Sequence, residues 1–229
     1  METRKYAEIE TREYSEREAL ALVTQCGLNL KHVKDQTEEI CLAAVSQHGL
    51  ALNYVKNQTP KICMIAVQNY GDALSCVKNQ TEEICMAAVK QDGYALQYVK
   101  KQTPEICLAA VSNSGDALYY VKEQTPEICL AAVQNNGNAL IHVKNQTEEI
   151  CLAAVQNDGY ALRYVKNQTP EICLAAVKQN AYTLAYVKEQ TTELCKIALR
   201  QKLQVIEYCD PAIILAALEE LTANKNLEG

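Results

Sequence analysis

The sequence predicts an all-α protein, an α-solenoid (superhelix) of short two-helix hairpin repeats with degenerate capping repeats at its ends. Three observations carry this prediction. A 22-residue pattern recurs without insertion, each copy contains the start signals of a helix, and its apolar residues follow helical spacing. The full copies begin at Thr37, Thr59, Thr81, Thr103, Thr125, Thr147, Thr169 and Thr191.

The first helix of each copy begins at its threonine, as the copy from Thr125 illustrates. The Thr hydroxyl can accept an unpaired backbone N–H, which makes it a good N-cap. Pro126 then lies at the first helical position, where a missing N–H costs nothing. The apolar face consists of Ile128, Cys129, Ala132 and Val133. Gly137 is expected to end the helix as a left-handed C-cap, and the recurrence of Gly at 49, 71, 93, 115 and 159 favours a positive-φ requirement.

The second helix is shorter, with an expected length of about eight or nine residues by its apolar pattern. Its apolar stripe comprises Ala139, Leu140 and Val143. Helices this short are marginal in water on their own. Each copy must therefore bury its apolar face against its neighbours, and a core without Phe or Trp permits close helix approach.

The array has atypical ends, as expected where one side of a repeat meets water. Residues 1–14 are interpreted as an N-terminal extension and 15–36 as a degenerate capping repeat in which Ser15 replaces Thr. Residues 37–212 hold eight tandem repeats, the last one degenerate. Residues 210–222 form a C-terminal capping helix with Asp210 as its N-cap, and 223–229 a tail.

Composition narrows the class of protein. A net charge of −6 argues against a protein devoted to nucleic acid or acidic membranes. The apolar runs are too short for a transmembrane helix, and the start of the chain lacks the apolar core of a signal peptide. Eight of the 11 cysteines, Cys41 through Cys195, recur at one core position. They are predicted to be buried free thiols in a reducing compartment, and the expected location is cytoplasmic.

No pattern indicates catalysis. The sequence has no Gly-rich phosphate loop, no Ser/His/Asp set and no pattern of paired buried carboxylates. No copy supplies a second metal ligand at suitable spacing beside its cysteine. We therefore predict no catalytic residue, no cofactor and no metal, and expect the protein not to be an enzyme.

The positions that vary among copies are the candidate partner-binding residues, because solenoids bind through stacked positions on an extended face. An unconstrained solvated surface is the alternative for each column. The most variable column lies in the second helix: Asn53, Ser75, Gln97, Tyr119, Ile141, Arg163, Ala185 and Glu207. A second column precedes the glycine: His48, Tyr70, Asp92, Ser114, Asn136, Asp158 and Asn180. A third follows it: Leu50, Asp72, Tyr94, Asp116, Asn138, Tyr160 and Tyr182.

Two further columns are chemically uniform. The aromatic column is Tyr54, Tyr98, Tyr120, Tyr164, Tyr186 and Tyr208, interrupted by Cys76 and His142. Its rings could line a groove for a peptide or for bases, or they could cover the core with their hydroxyls in water. The lysine column is Lys34, Lys56, Lys78, Lys100, Lys122, Lys144, Lys166 and Lys188. It could track phosphates, or it could form exposed ion pairs with a neighbouring glutamate column and complement the helix dipoles.

The repeat also resembles a known family. The run Ala153–Val165 has the pattern Ala-Ala-Val-x-x-x-Gly-x-Ala-Leu-x-Tyr-Val, and Leu174–Tyr186 is a close variant. This pattern resembles a short tandem repeat family of unknown function, abundant in giant DNA viruses of amoebae and some intracellular bacteria. The resemblance covers residues 15–218; the turn Val-Lys-x-Gln-Thr departs from it.

The resemblance implies a binding or scaffold protein that acts in the cytoplasm of an infected host cell. A scaffold for protein–protein interaction is the first hypothesis for function. Nucleic-acid binding along the lysine and aromatic columns, and structural self-association, are the alternatives. The polar residues Lys196, Arg200 and Lys202 of the last full copy argue against end-to-end association. The partner and the oligomeric state stay open.

Overall fold

A computed structural model describes residues 13–225, with side chains described for 13–220. Within this range the secondary structure is helical, and each copy contributes an α-helix followed by a short 3-10 helix. The α-helices are α1 (Glu16–Gln25), α2 (Glu38–Gln47), α3 (Pro60–Asn69), α4 (Glu82–Gln91), α5 (Pro104–Asn113), α6 (Pro126–Asn135), α7 (Glu148–Asn157), α8 (Pro170–Gln179), α9 (Thr192–Gln201) and α10 (Pro211–Lys225). The 3-10 helices are η1 (Gly27–His32), η2 (Gly49–Tyr54), η3 (Gly71–Cys76), η4 (Gly93–Tyr98), η5 (Gly115–Tyr120), η6 (Gly137–His142), η7 (Gly159–Tyr164), η8 (Ala181–Tyr186) and η9 (Leu203–Tyr208).

The chain divides into two compact units, Met1–Asn113 and Ser114–Gly229. Within the first unit, α1 to α5 pack side by side as one layer, and η1 to η4 pack side by side as a second layer. Within the second unit, α6 to α10 and η5 to η9 form the same two layers. In both units the α-helices from α2 to α9 also pack on the 3-10 helix of the preceding copy. The predicted all-α solenoid of short helical repeats is thus confirmed.

The α-helix of each copy forms for the predicted reasons. In the second unit, the Thr147 hydroxyl accepts the backbone N–H of Ile150 at 3.3 Å, and Pro126 opens α6 at its first turn. The predicted apolar face is buried: Ile128 is 1% exposed, and Ala132 and Val133 are fully covered. The core of the repeat therefore consists of the side chains that helical spacing indicates.

The second helix differs from the prediction of eight or nine residues. It is a six-residue 3-10 helix, as in η6 from Gly137 to His142. Extended residues bound it on both sides, Asn136 with φ −144° and Val143 with φ −74° and ψ 118°. The 3-10 geometry suits the sequence because residues three apart share one face. Gly137, Leu140 and Val143 follow this spacing, and all three are buried.

The role predicted for the recurrent glycine is wrong, because no described residue has a positive φ. The glycine begins the 3-10 helix and is required by packing instead. A Cβ atom on Gly137 would lie 2.5 Å from the carbonyl oxygen of Ala154, in the α-helix of the next copy. The same atom on Gly49 would lie 2.6 Å from the carbonyl oxygen of Ala66. Both distances are shorter than contacts that Cβ atoms make, so only glycine allows the two copies to approach this closely.

A glutamine ladder joins consecutive copies. Gln146 Nε2 donates to the carbonyl of Tyr164 at 2.9 Å, and its Oε1 accepts the N–H of Lys166 at 3.0 Å. Tyr164 ends the 3-10 helix of the next copy and Lys166 lies two residues later, where backbone groups lack helical partners. One amide side chain therefore satisfies both a carbonyl and an N–H. The same pair of bonds is made by Gln36, Gln58, Gln80, Gln124, Gln168 and Gln190.

A second amide ladder runs in the opposite direction, from the last residue of one α-helix to the copy before it. Asn157 Oδ1 accepts the N–H of Gly137 at 2.7 Å, and its Nδ2 donates to the carbonyl of Gln134 at 2.8 Å. Asn113 does the same for Gly93 and Lys90. This ladder caps the C-terminus of each preceding α-helix, whose carbonyls would otherwise lack donors.

The ends of the array are capped locally. Ser15 forms a capping box with Glu18 at the start of α1, and the Asp210 carboxylate accepts the N–H of Ala212 at the start of α10. Helix α10 runs to Lys225, three residues beyond the limit of 222 predicted for the capping helix. Residues 1–12 and 226–229, in the predicted extension and tail, lie outside the described residues.

Substitution of Gly137 tests the packing role of glycine. We expect Gly137→Ala to destabilise the protein by about 1–3 kcal/mol, because the methyl group must displace the Ala154 carbonyl. Urea denaturation followed by circular dichroism measures the change. Gly137→Asn distinguishes the two roles: asparagine tolerates a left-handed conformation, so an Asn variant more stable than the Ala variant would contradict the packing role. Ala181→Gly, which restores glycine in the one full internal copy that lacks it, is the control.

Removal of one glutamine tests the ladder. We expect Gln146→Leu to cost about 2–4 kcal/mol, because it leaves the Tyr164 carbonyl and the Lys166 N–H without partners. The substitution should increase the rate of amide hydrogen exchange most around η7, because Gln146 bonds to backbone groups at the end of that helix. The exposed neighbour Asn145 supplies the control, and Asn145→Ala should change stability by less than about 0.5 kcal/mol. Equal effects of the two substitutions would show that the ladder is energetically unimportant.

Candidate partner-binding face

The most variable column lies on the exposed side of the 3-10 layer. Each of its members is solvent-exposed, including the predicted binding residues Asn53, Ser75, Gln97, Tyr119, Ile141 and Arg163. Two neighbours in this column are large and apolar, with Tyr119 68% and Ile141 55% exposed. Large apolar side chains that stay this exposed in a folded repeat are candidates for contact with another molecule.

The columns on either side of the glycine position meet between copies. Asn138, which follows Gly137, donates to the Asp158 carboxylate of the next copy at 2.8 Å. Asn136 donates to the Asp116 carboxylate of the preceding copy at 3.2 Å. In the first unit, the rings of His48 and Tyr70 lie 6.5 Å apart. In the second unit the two columns therefore form one surface, and in the first unit His48 and Tyr70 are neighbours within the column that precedes the glycine.

The most variable column joins the same surface. Arg163 donates to the Asn138 side chain at 3.2 Å and lies 4.6 Å above the ring of Tyr164. The ring of Tyr119 lies 5.0 Å from Tyr120 and 5.3 Å from His142 of the next copy. These contacts link the variable positions to the aromatic column.

The aromatic column lies at the edge of this surface. Tyr54, Tyr98, Tyr120 and Tyr164 are half-buried, and the column extends to Tyr186 and Tyr208, each 39% exposed. Their rings pack across copies, 6.1 Å between Tyr160 and Tyr186 and 6.4 Å between Tyr182 and Tyr208. We call the three variable columns together with the aromatic column the variable face. Sequence variation predicted its residues but not that its columns lie together.

Charged residues interact with several tyrosines of this face. The carboxylate of Asp72 raises the pKa of the Tyr70 hydroxyl, and a hydrogen bond to Glu207 raises the pKa of Tyr208. Lys202 lies 5.0 Å above the ring of Tyr182, in a cation–π arrangement. The face is thus a mixture of aromatic, amide and charged groups rather than a track of one charge.

Most lysines of the lysine column donate to a backbone carbonyl of the preceding copy. Lys166 Nζ donates to the backbone carbonyl of Lys144 at 3.0 Å, and Lys188 Nζ to that of Lys166 at 2.9 Å. Four more lysines repeat this bond to the lysine of the preceding copy, namely Lys56, Lys78, Lys100 and Lys144. Lys34, at the start of the column, instead pairs with the carboxylate of Glu13 at 2.8 Å. Each of these lysines lies two residues beyond the end of a 3-10 helix, so the bonds join successive turns.

Shallow grooves follow the turns that carry these lysines. A groove of about 580 Å³ is lined by Lys166, Gln168, Thr169, Cys173 and Lys188. Similar grooves of about 360 and 430 Å³ lie at Lys144 and at Lys78. They are lined by the same residue types in each copy. They are therefore a by-product of the repeat, whereas the variable face differs from copy to copy.

The repeated cysteines are buried in the predicted way. Cys129 and Cys151 are each 3% exposed, and burial raises the pKa of both thiols. The cysteines of the described chain are free rather than disulfide-bonded. Within residues 13–220, no group of three or more His, Cys, Asp or Glu side chains is arranged to hold a metal ion.

Across the described residues, no helix combines the length and the apolar character needed to cross a bilayer.

The fold and surface define a tandem-helical-repeat protein, and comparison with known proteins supports this class. A family model described as a domain of unknown function (DUF4116) matches the chain four times, over residues 81–125, 104–147, 125–168 and 147–191. These overlapping matches show that the repeats from 81 to 191 are similar to a repeat family of unknown function. No curated protein and no solved structure matches the chain.

The residues that sequence reasoning missed are the glutamines of the ladder. Gln146 and its equivalents belong to the turn Val-Lys-x-Gln-Thr, and Gln occupies this position in every copy from Gln36 to Gln190. That invariance was the available signal. A polar residue kept at one place in every copy, beside variable neighbours, indicates an obligatory hydrogen bond.

Thiol accessibility provides a test of the buried cysteine ladder. We expect iodoacetamide at neutral pH to modify Cys129 at least about 100-fold more slowly than the exposed Cys26, because Cys129 is both covered and protonated. Mass spectrometry of digested samples taken over time gives both rates from one protein. Similar rates at the two positions would mean that the ladder opens readily, and guanidinium-unfolded protein supplies the reference in which they should agree.

Proposed function

We propose that this chain is a non-enzymatic scaffold that binds a protein partner through its variable face. One observation carries the proposal. The positions that differ among copies contact one another across copies, as Asn138 does with Asp158 and Tyr119 with His142. The positions kept constant are instead buried or engaged in the two amide ladders. In the second unit the surface left to vary is continuous from copy to copy.

The composition of the variable face supports a protein partner. Tyrosine and arginine are the residues that most often dominate protein–protein binding energy. Tyr119, Ile141 and Arg163 lie on it with their side chains exposed. The lysine ammoniums, by contrast, are held on backbone carbonyls at the turns, and the net charge of −6 opposes binding to polyanions. Nucleic-acid binding is therefore the alternative that the test must separate.

Substitutions on the variable face test this function. We expect Tyr119→Ala with Ile141→Ala to reduce capture of the partner at least about tenfold, because truncation of central aromatic and aliphatic anchors typically costs more than 1 kcal/mol. The tagged protein is used to capture partners from its native cell, and quantitative mass spectrometry compares the variant with the wild type. Circular dichroism should be unchanged, since both side chains are exposed.

Matched controls make the outcome specific. Glu149→Ala with Gln156→Ala alters two exposed residues on the α-helical layer of the same unit and should leave capture unchanged. Lys144→Ala and nuclease treatment address nucleic acid. Binding that is lost with nuclease and falls steeply with salt would replace the proposal with the alternative. Equal losses in the α-layer control would place the binding surface elsewhere.

The resemblance to repeats of giant DNA viruses adds a setting to this proposal. We propose that the partner is a host protein in the cytoplasm of an infected cell. The capture should therefore be made from infected and uninfected cells in parallel. A partner found only in the virus particle or in the nucleus would contradict this setting without contradicting the scaffold function.

A further inference from the structure

The last full copy places two buried thiols side by side. Cys195 occupies the position of the repeated cysteine, on α9, and is fully covered. Cys209 follows η9 at the position that is Val in the other copies, for example Val165 and Val187, and is 5% exposed. The cysteine ladder therefore has a second thiol at this register in the last copy, whereas a valine occupies it elsewhere.

Gln190 brings the two cysteines together. Its Oε1 accepts the N–H of Asp210 at 2.7 Å and lies 3.5 Å from Cys195 Sγ. The residue next to Cys209 is thus held against the same oxygen that the Cys195 thiol contacts. Each thiol contributes to the pKa shift of the other, as neighbouring side chains do. Cys209 Sγ also lies 3.7 Å from the Val205 carbonyl, inside η9.

We propose that Cys195 and Cys209 form a reversible disulfide that fixes η9 and the base of α10 to α9 under oxidising conditions. The bond would close a loop of 15 residues, 195 to 209, and connect three elements at the end of the second unit. This proposal is independent of the partner-binding function. It assigns a modification site to one copy of a ladder that is otherwise inert.

The chemistry balances with hydrogen peroxide as the oxidant. The more accessible Cys209 sulfur, as thiolate, attacks one peroxide oxygen, and a sulfenic acid forms as water leaves. Cys195 sulfur then attacks the sulfenic sulfur, the S–S bond forms, and the hydroxyl leaves as a second water. Two thiols thus lose two electrons and two protons, and one peroxide becomes two waters. In the other copies the repeated cysteine has a valine at the position of Cys209, so a sulfenic acid there would find no second thiol at this position.

Burial controls the rate of this reaction. It raises the pKa of Cys195 to about 12 and also raises the pKa of Cys209. Because only the thiolate attacks, oxidation of the folded protein should take hours rather than seconds at neutral pH. Incubation with peroxide for several hours, rather than a brief pulse of oxidant, is therefore the appropriate experiment. The pair would therefore respond slowly to an oxidant.

Peptide mapping tests the pair directly. The full-length protein is equilibrated with peroxide or with reduced dithiothreitol, its remaining thiols are blocked with N-ethylmaleimide in guanidinium, and trypsin is added. Cys195 and Cys209 fall in different tryptic peptides, 189–196 and 203–225. We expect these two peptides to appear joined, lighter than their sum by two hydrogens, in the oxidised sample only. The oxidised protein should also melt about 5 °C higher than the reduced one.

Two variants provide matched controls. Cys209→Val restores the residue of the other copies and should abolish both the joined peptide and the shift in melting temperature. Val187→Cys in that background should move the disulfide one copy back, to Cys173, because the register is the same. The proposal would be overturned if N-ethylmaleimide still labelled every thiol of the folded protein after peroxide treatment, under conditions that oxidise the unfolded protein. So would disulfides scattered among several of the 11 cysteines.

Discussion

The fold depends on one interaction, the amide of a glutamine that bonds to two backbone groups of the next copy. The end of a 3-10 helix leaves a carbonyl and an N–H without helical partners, two residues apart. Only a side chain with both a donor and an acceptor can satisfy them together. Gln146 does so for Tyr164 and Lys166, at 2.9 and 3.0 Å. A copy cut away from its neighbour would lose this partner, so stability belongs to pairs of copies rather than to single ones.

The close approach at glycine follows from the same geometry. The glutamine reaches its partners only if the next copy lies near, and near copies leave no room for a Cβ atom at Gly137, 2.5 Å from the Ala154 carbonyl. The core accommodates the same spacing with Ala132 and Ala139, both fully buried. Small core residues, glycine and the amide ladders are therefore consequences of one inter-copy distance. Residues that do not face the backbone of the next copy are not constrained by this distance, and these are the residues that vary.

The sequence predicts the α-helical part of each copy well because its signals are local. A threonine cap, proline at the first turn and helical spacing of Ile128, Ala132 and Val133 need no knowledge of the neighbours. The second helix and the glycine were misjudged because recurrent glycine has two explanations, a left-handed conformation and close packing. Only the distance to another copy separates them. The candidate binding residues could be found from variation alone. That these residues lie on one face follows from contacts between copies, such as the one between Asn138 and Asp158, 20 residues apart, and no local pattern predicts such contacts.

The last full copy shows what happens when the constraint of a following copy is withdrawn. Leu203 takes the glycine position and is 71% exposed, and Ile206 takes a core leucine position and is 42% exposed. A leucine side chain at the glycine position would collide with the carbonyl of a further copy in the regular register, so the sequence itself ends the array there. Helix α10 begins three residues early and packs on α9 in place of a regular copy. Each departure affects a position whose partner elsewhere is the next copy. The end of this solenoid is therefore specified by the same contacts that propagate it.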